Sequence, residues 1–452
     1  MNTKNTNFKN SGIAWIGQIP KHWEVIRNKY ILSGLYSGGT PTSGTAKFYT
    51  DEDYGIPFVS IGDMSKKEFI ESTKTKITKF GILDKNLKIL PKNTILYSIY
   101  ATIGEVAELK CSATISQALL ALFVKNSYNK QFYKYNLKAM KDYIFFESSG
   151  TTQFNLNAKK VLNFSFVSPP LNEQKKIAEF LDKKCEIIDK RLNNLERKIK
   201  SLKEYKKSLI SECVTKGLNP KNREFKDSQI SWIGQIPKHW KISKIKYYFN
   251  FSSGLNITKE NLIESGIPVI SYGQIHSKEN TGTFIKDSFF RFISQDYLKN
   301  KKSLVNKGNF IFADTSEDLD GAGNSVFVDL DLTMFAGYHT IILKNKCNFE
   351  FSKFLSYLFQ TDLWRSQIRL AVSGVKVFSI TKKILANCEI LVPPLNEQKE
   401  IAEFLDKKCE KIDRLNENYT NQIIALKEYK KSLIYECVTG KNIFDCSVKK
   451  IS

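Results

Sequence analysis

Apolar residues recur every seven positions along two long stretches of the chain. In each stretch, these residues form a main row, and a second apolar-rich row lies three positions before it. The two rows together form the a/d stripe of a coiled-coil helix. The main rows are Leu181, Ile188, Leu195, Leu202 and Leu209 in the first stretch, and Leu405, Ile412, Tyr419, Leu426 and Leu433 in the second. The pattern predicts two helices of about 40 residues, each roughly 60 Å long at 1.5 Å per residue.

Helix-breaking residues mark the ends of both predicted helices. A Pro-Pro pair precedes each heptad stretch, at 169–170 and at 393–394. Proline starts helices well and asparagine caps them, whereas glycine commonly ends them. The predicted N-caps are Asn172 and Asn396, and the predicted C-terminal stops are Gly217 and Gly440.

A helix of this length with an apolar seam is not stable alone in water. We predict that the two helices pair as an antiparallel coiled coil, because about 170 residues of globular domain separate them. The alternative is that each helix packs on its own globular domain, and the continuous heptads favour the coiled coil. Lys206, Lys430 and Asn416 interrupt the seam, so they are expected either at exposed ends or as residues that fix the register.

Outside these helices the pattern changes to short apolar runs broken by Gly, Pro, Asn and Asp, which is typical of strands. Residues 132–146 and 351–368 have helical periodicity and predict one helix in each half. The predicted fold class is therefore α/β (α+β), with two globular domains separated by two long helices and related by a pseudo-two-fold axis. The predicted bounds are 1–168 and 218–392 for the domains, 169–217 and 393–440 for the helical spacers, and 441–452 for a tail.

The chain is an internal repeat. WIGQIPKHW occupies 15–23 and returns unchanged at 232–240. PPLNEQKKIAEFLDKKCE at 169–186 returns at 393–410 with one change, and KEYKKSLISECVT at 203–215 returns at 427–439 with one change. Between these anchors the halves diverge, with a faint echo of GIPFVSIGDM (55–64) in GIPVISYGQI (266–275). The pattern indicates a duplicated module whose variable part is the globular domain.

The chain of 452 residues carries 69 Lys+Arg against 46 Asp+Glu, a formal charge of +23. Such an excess favours a polyanionic partner such as nucleic acid. The alternative is a lysine-rich proteome that places lysine on every surface. No run of about 18 apolar residues and no signal-peptide core is present, so we expect no membrane span and a cytoplasmic protein.

Sequence motifs for catalysis are missing. No phosphate-binding G-x-x-x-x-G-K-[ST] loop and no G-x-G-x-x-G after a strand occurs, and no C-x-x-C or close His pair is available for zinc. Glu173-x-Lys175 and its copy resemble a nuclease motif, but they lie in the first turn of a predicted helix, where a capping role is expected. We predict a non-enzyme without a metal or cofactor of its own.

The opening segment, the PPLNEQKKIAEFLDKK helix start and the half-repeat plan resemble the specificity (S) subunit of type I restriction–modification enzymes. The resemblance covers essentially the whole chain. It implies two target recognition domains alternating with two helical spacers, and a two-part, asymmetric DNA site containing adenine as the methylated base. It also implies two modification (methyltransferase) subunits and restriction (motor-nuclease) subunits as partners, with S-adenosylmethionine, ATP and Mg²⁺ bound to those partners.

Candidate DNA-binding residues are small and amide side chains in Gly-flanked loops, with lysines for phosphates. Each of them is also compatible with an ordinary turn. In the first domain they are Thr40, Thr42, Lys47, Ser60, Gly62, Asp63, Lys66, Lys67, Ser149, Thr151, Thr152 and Gln153. In the second they are Ser253, Asn256, Ser271, Tyr272, Gln274, His339 and Lys376.

Two other classes of function remain open from the sequence. The first is a coiled-coil interaction scaffold without DNA specificity, against which the charge of +23 argues. The second is a self-contained DNA enzyme, which would react with DNA without partner subunits.

Overall fold

A computed structural model of the chain describes residues 8–65, 68–148, 156–230, 232–372, 374 and 377–442. The chain divides into two compact units, Met1–Leu195 with Asn421–Ser452, and Glu196–Thr420. Both long helices pass from one unit into the other. Each unit therefore contains one globular domain, the first part of the spacer helix that follows it and the last part of the other spacer helix.

The globular domain of unit 1 contains two sheets. The five-stranded sheet has the order Leu32–Ser37, Leu119–Val124, Ile95–Ser98, Val106–Leu109 and Phe69–Ile70. The four-stranded sheet has the order Thr114–Ile115, Ile56–Val59, Thr75–Ile77 and Tyr49–Thr50. Inward-facing residues of both sheets, such as Val59, Leu96 and Ile115, form one buried cluster. The apolar runs of the sequence thus form the core strands, as their β-branched and aromatic content predicts.

Helices and short strand pairs complete this domain. The helices are Asn28–Ile31, Ile61–Met64, Lys79–Asp84, Lys130–Ser148 and Ala158–Leu162, with a 3-10 turn at Ala46–Phe48. Phe8–Asn10 pairs with Gln18–Pro20, and Glu24–Arg27 pairs with Ser165–Ser168 just before the spacer helix begins.

The globular domain of unit 2 also contains two sheets, each of four strands. One sheet has the order Phe249–Ser253, Thr340–Asn345, Phe310–Ala313 and Ser325–Phe327, and the other Arg291–Ile293, Ile267–Ile270, Met334–Ala336 and Leu304–Val305. Two-stranded pairs join Phe225–Asp227 to Gln235–Pro237, Lys241–Lys244 to Glu389–Val392, and Thr315–Ser316 to Phe378–Ser379. The helices are Tyr272–Ile275, Phe349–Leu358, Asp362–Ala371 and Lys382–Asn387. The 3-10 turns are Pro220–Asn222, Ile245–Tyr247, Lys259–Asn261, Asp287–Phe289, Gln295–Lys299 and Lys301–Ser303.

The single helix expected over 351–368 is wrong, because two helices share this segment. The first ends at Leu358 and the second begins at Asp362. The Thr361 side chain accepts a hydrogen bond from the backbone N–H of Trp364, which caps the second helix. The apolar periodicity continues across this break, so the sequence pattern alone does not mark it.

The two long helices have nearly the predicted bounds, Leu171–Lys216 and Leu395–Val438; we call them spacer helix 1 and spacer helix 2. Gly217 and Gly440 follow their ends in the left-handed conformation, with φ of 77° and 75°, as expected for glycine stops. The predicted N-caps are wrong. Both helices begin one residue before Asn172 and Asn396, so these asparagines lie inside the first turn.

The heptad seam is buried in both units. Leu181, Ile188 and Leu195 are at most 6% exposed in unit 1. The fully buried seam residues also include Leu433 in unit 1 and Leu405 and Ile412 in unit 2, whereas Leu202, Leu209, Tyr419 and Leu426 are half-buried. In unit 2 the end of spacer helix 1 and the beginning of spacer helix 2 share one core with the globular domain. The helices therefore pack on each other and on the domain, so the two predicted alternatives occur together.

Seam lysines meet aspartates of the other spacer helix. In unit 1 Lys430 Nζ lies 2.6 and 2.7 Å from the carboxylate oxygens of Asp189. In unit 2 Lys206 Nζ lies 2.7 Å from both oxygens of Asp413. Asp413 is the repeat equivalent of Asp189, and Lys430 that of Lys206. The two lysine interruptions of the heptad are thus suited to fix the register, because each lysine meets its carboxylate in one alignment of the antiparallel segments.

Candidate nucleic-acid interface

We call the globular domains of units 1 and 2 domain 1 and domain 2. The predicted DNA-reading loop after strand Ile56–Val59 of domain 1 is a tight capped turn. The backbone N–H of Ser60 donates to Asp63 Oδ2 at 2.9 Å, and the Ser60 hydroxyl donates to the same oxygen at 2.6 Å. Lys74 N–H donates to the other oxygen at 3.0 Å, and Asp63 is 2% exposed. Asp63 is therefore a buried part of the turn. This placement corrects the prediction that Asp63 contacts bases. Its neighbour Gly62 is exposed.

Domain 2 builds the same turn with different side chains. After strand Ile267–Ile270, Ser271 N–H donates to Gln274 Oε1 at 3.1 Å, and the helix Tyr272–Ile275 follows. Ser271 is 4% exposed, so its main role, like that of Asp63, is to form the turn. The weak similarity between GIPFVSIGDM and GIPVISYGQI thus corresponds to the same capped turn in both domains. Its cap is an aspartate in domain 1 and a glutamine in domain 2.

Thr40 and Thr42 lie on a surface loop of domain 1, and Lys47 lies in the 3-10 turn Ala46–Phe48. The Thr40 hydroxyl donates to Gln117 Oε1. The backbone N–H and hydroxyl of Thr42 donate to Asp84 Oδ2 at 2.9 and 3.1 Å, and the backbone bond is the main cause that lowers the pKa of Asp84. Lys47 is exposed, with its ammonium 5.2 Å from the centre of the Phe48 ring.

Backbone hydrogen bonds bring the loops of each domain together. In domain 1, Gly39 N–H donates to Ile115 O, and Ser116 N–H donates to Val59 O. The loop of Thr40 and Thr42, the loop of Gln117 and the turn at Ser60 therefore converge. In domain 2 the loops of Ser253–Asn256, Ser271–Gln274 and 337–339 converge in the same way, through Leu255 to Ala336 and Tyr272 to Tyr338. Ser253 and Asn256 are exposed there.

An aromatic cluster marks this convergence in domain 2. The Tyr272 ring lies 5.5 Å from Tyr338, 5.7 Å from His339 and 6.0 Å from His276, between ring centres. The His339 side chain is 57% exposed, and its Nδ1 lies 3.2 Å from Asp314 Oδ1. Its backbone is left-handed, with φ of 55°. Non-glycine residues rarely adopt this conformation outside strained functional loops or turns.

Several residues of these surfaces were missed by the sequence reasoning. Lys259, Arg291 and Tyr338 line one cleft with Ser271 and Gln274. Gln117 of domain 1 was missed as well. They lie on other loops than the predicted residues, and no local motif distinguishes them. The seven remaining predictions lie outside the described residues: Lys66, Lys67, Ser149, Thr151, Thr152, Gln153 and Lys376.

The duplicated opening segment forms a junction with the first turn of the spacer helix. In unit 1 the Trp23 indole N–H donates to Glu173 Oε2 at 2.9 Å, and His22 Nε2 lies 3.0 Å from Oε1. The Trp23 side chain is fully buried. The capping role expected for Glu173 is therefore only part of its function, because its carboxylate binds the His-Trp pair of the domain.

Unit 2 has the same junction with one added cation. The Trp240 indole N–H donates to Glu397 Oε2 at 3.1 Å, His239 Nε2 lies 2.6 Å from Oε1, and Arg223 donates to Oε2. Partial burial alone would raise the pKa of Glu397. The hydrogen bonds from His239, Arg223 and Trp240 outweigh burial and hold that pKa below its ordinary value.

Each junction also touches the end of the other spacer helix. A Cβ on Gly440 would lie 2.5 Å from Pro20 Cδ and 3.1 Å from Trp23 Cη2. A Cβ on Gly217 would lie 3.6 Å from Trp240 Cζ2. The tryptophan thus lies between the beginning of one spacer helix and the end of the other, which makes the two segments antiparallel in each unit. Both copies of the opening segment therefore make the same pair of contacts.

A second polar contact fixes each domain to its spacer helix. Tyr135 Oη donates to Asp182 Oδ1 at 2.7 Å, and Gln131 Nε2 donates to the same oxygen at 2.6 Å. In unit 2, Tyr357 Oη donates to Asp406, the repeat equivalent of Asp182. These aspartates lie in the duplicated FLDKKCE segment, whereas the tyrosines lie in the divergent domains.

Within the part of the chain that the structure describes, no cluster of three or more His, Cys, Asp or Glu residues is positioned to hold a metal ion. Among the same residues, no helix has the length and apolar character to cross a membrane.

The sequence matches the family described as type I restriction modification DNA specificity domain twice, over residues 20–200 and 237–425. It is 26% identical over 444 residues to the type I restriction enzyme MjaIX specificity subunit of Methanocaldococcus jannaschii, with 96% of each chain covered. The MjaVIII specificity subunit of that organism is 25% identical over 431 residues, with 94% of each chain covered. A chain of a type I R-M system, solved to address complex assembly and conformational transition, has the same fold. It superposes with a TM-score of 0.67 at 13% identity, covering 93% of this chain and 98% of that one.

Proposed function

This chain belongs to the family of type I restriction modification DNA specificity domains, and from that membership we propose that it is the DNA sequence-recognition subunit of a type I restriction–modification complex. Each globular domain reads one half of a bipartite, asymmetric DNA site. The spacer helices set the distance between the halves. The chain itself performs no chemical step.

The observation that carries this proposal is the pair of converging loop surfaces on one shared scaffold. Both domains have a capped turn after the corresponding strand, yet the turn reads Ser-Ile-Gly-Asp in one and Ser-Tyr-Gly-Gln in the other. A common backbone with different side chains suits two readers that enter DNA in the same way and contact different bases. Two identical surfaces would instead favour a palindromic site.

The net charge of +23 supports DNA as the partner. Lysines and arginines that neutralise phosphates release counterions, which supplies sequence-independent affinity and makes binding weaken steeply with salt. The exposed Lys47, Lys259 and Arg291 lie near the converging loops and are suited to this role. Of the site residues predicted from the sequence, Asp63, Ser271 and Gln274 hold the two turns, and the others remain proposed DNA contacts.

The identical helix ends support two copies of one protein partner. Lys203–Thr215 and Lys427–Thr439 differ at one position, and their exposed tyrosines Tyr205 and Tyr429 are 54% and 53% exposed. Two nearly identical surfaces on one chain suit two copies of the same partner. We assign these surfaces to two modification subunits, with restriction subunits joining the complex for cleavage. S-adenosylmethionine, ATP and Mg²⁺ then bind those partners, and the complex acts on cytoplasmic DNA.

Single-molecule methylation sequencing of the host genome tests the proposal, with this gene intact and disrupted. The expected result is loss of methyladenine at one split, asymmetric motif when the gene is disrupted. If the methylome is unchanged, the purified chain with its modification subunits is tested for binding to genomic DNA fragments. Failure of that binding would exclude the proposed role.

A further inference from the structure

The tryptophan junctions lie where three elements of each unit meet. In unit 1 the buried Trp23 contacts the first turn of spacer helix 1 through Glu173 and the end of spacer helix 2 at Gly440. Trp240 makes the equivalent contacts with Glu397 and Gly217 in unit 2. A rotation of the globular domain on its helices would have to break or shift these contacts.

We propose that the Trp23–Glu173 and Trp240–Glu397 hydrogen bonds are positioning contacts that hold each domain at one angle on the helix ends, and thereby fix the number of base pairs between the two half-sites. The inference rests on the proposed DNA-reading function. In this proposal, the length of the spacer helices and the angle at each junction together determine the number of base pairs between the half-sites.

The lever arm of the domain makes this angle important. A domain of about 150 residues has a radius of gyration of roughly 15 Å, so its reading loops lie roughly 15–30 Å from a junction. A rotation of about 10° then moves the loops by roughly 3–5 Å, which is about the rise of one base pair, ~3.4 Å. A small loosening of the junction is therefore enough to admit a site one base pair longer or shorter.

A second contact restricts the same rotation. Asp182 binds Tyr135 of the domain nine residues after Glu173 on the same helix, or about 13 Å further along it. Two attachment points at this separation define an angle, whereas one would act as a pivot. The backbone N–H of Asn129 also donates to Gln174 Oε1 at 2.7 Å, next to Glu173. Removing Glu173 therefore weakens the first attachment point without abolishing it, and removing Asp182 as well loosens the domain further.

The first junction is the better one to test. Glu397 also binds Arg223, so its removal would leave a half-buried guanidinium without this partner. Among the described residues, the Glu173 side chain contacts His22 and Trp23 and no arginine or lysine. A substitution at Glu173 therefore changes the contacts of the His-Trp pair without creating an unpaired charge.

The test replaces the chain in its host by variants and sequences the methylated motifs. Glu173→Ala removes the acceptor, and Glu173→Gln keeps an acceptor for the Trp23 N–H. Glu179→Ala, exposed on the same helix, is the matched control. We expect Glu173→Ala to raise methylation at sites whose spacer is one base pair longer or shorter by about tenfold, as loss of a hydrogen bond to a charged group predicts. The bases of both half-sites should stay the same.

Three results separate the possibilities. Glu173→Gln and Glu179→Ala should keep the single spacer length, and Glu173→Ala with Asp182→Ala should broaden it further. If the alanine variants only reduce methylation at the original spacer, the junction is merely structural and the proposal is wrong. If the alanine variants do not accumulate, Trp23→Phe decides, because it keeps an aromatic ring at this position and removes the donor. An unchanged spacer would then overturn the proposal. Absence of any split motif with the natural chain would instead refute the proposed function.

Discussion

Asp63 illustrates how one residue can be misjudged from its neighbours. It lies in a Gly-flanked loop with the composition of a base-reading segment, yet both of its oxygens accept hydrogen bonds from its own turn and from Lys74. Its equivalent Gln274 has the same role in domain 2. At this scale the structure separates turn residues such as Asp63 from exposed ones such as Gly62, Asn256 and His339.

Asp63→Ala should therefore destabilise domain 1 without changing the bases that it reads. Loss of the cap and of the buried acceptor predicts a decrease of about 1–3 kcal/mol in the free energy of unfolding. Urea denaturation measures this, with the fully exposed Asp53 changed to Ala as the control. An altered half-site with unchanged stability would contradict the assignment of Asp63 to the turn.

The lowered pKa of Glu397 predicts a pH dependence of stability. A carboxylate with a depressed pKa in the folded state contributes stability above its unfolded pKa of about 4.3, and this contribution is lost as pH falls through the folded pKa. Glu397→Gln should therefore be less stable than the natural chain at pH 7, and the difference should shrink below about pH 4.3. Thermal unfolding across pH 3–7 measures it, with exposed Glu403→Gln as the control. A difference that does not change with pH would contradict this account.

At the scale of elements, the spacer helices were the most predictable part of the fold. Heptad spacing, Pro-Pro starts and glycine stops are local signals, and they gave the bounds to within a few residues. The prediction of Asn172 and Asn396 as N-caps was wrong because each helix begins directly after the Pro-Pro pair. The break before Asp362 was not predicted, because the apolar periodicity continues across it.

The tryptophan junctions could not be predicted from local sequence patterns for a different reason. Trp23 and Glu173 are 150 residues apart, and no periodicity links them. The duplication was the only available signal, since both members of the contact lie in segments that recur together. The duplication predicts that the two duplicated segments pair, but it does not predict which side chains meet.

The register of the spacer helices can be tested by charge reversal. Lys206→Asp places two carboxylates together at Asp413, and Asp413→Lys in the same chain should restore the pair. The ion pair is partly exposed, so we expect a coupling energy of about 0.5–1 kcal/mol. Denaturation of the single and double variants measures it. The matched control combines Lys206→Asp with Asp189→Lys, the aspartate that meets Lys430 instead; equal restoration there would contradict the register.

For the whole molecule, the charge excess predicts a strong dependence of DNA binding on salt. If the chain and its partners contact several phosphates, the logarithm of the affinity should fall linearly with the logarithm of the salt concentration, by roughly 0.9 per phosphate neutralised. Filter binding between about 50 and 200 mM salt measures the slope. A slope near zero would favour the interaction scaffold, in which lysines are only surface residues.

The central claim is that the two domains read two half-sites independently. It is tested most directly by replacing residues 24–165 with the corresponding segment of another family member and sequencing the methylated motifs of the host. The duplicated opening segment, the spacer helices and domain 2 stay unchanged in this chimaera. We predict that one half of the motif changes while the other half is kept. A change in both halves, or in neither, would contradict the account.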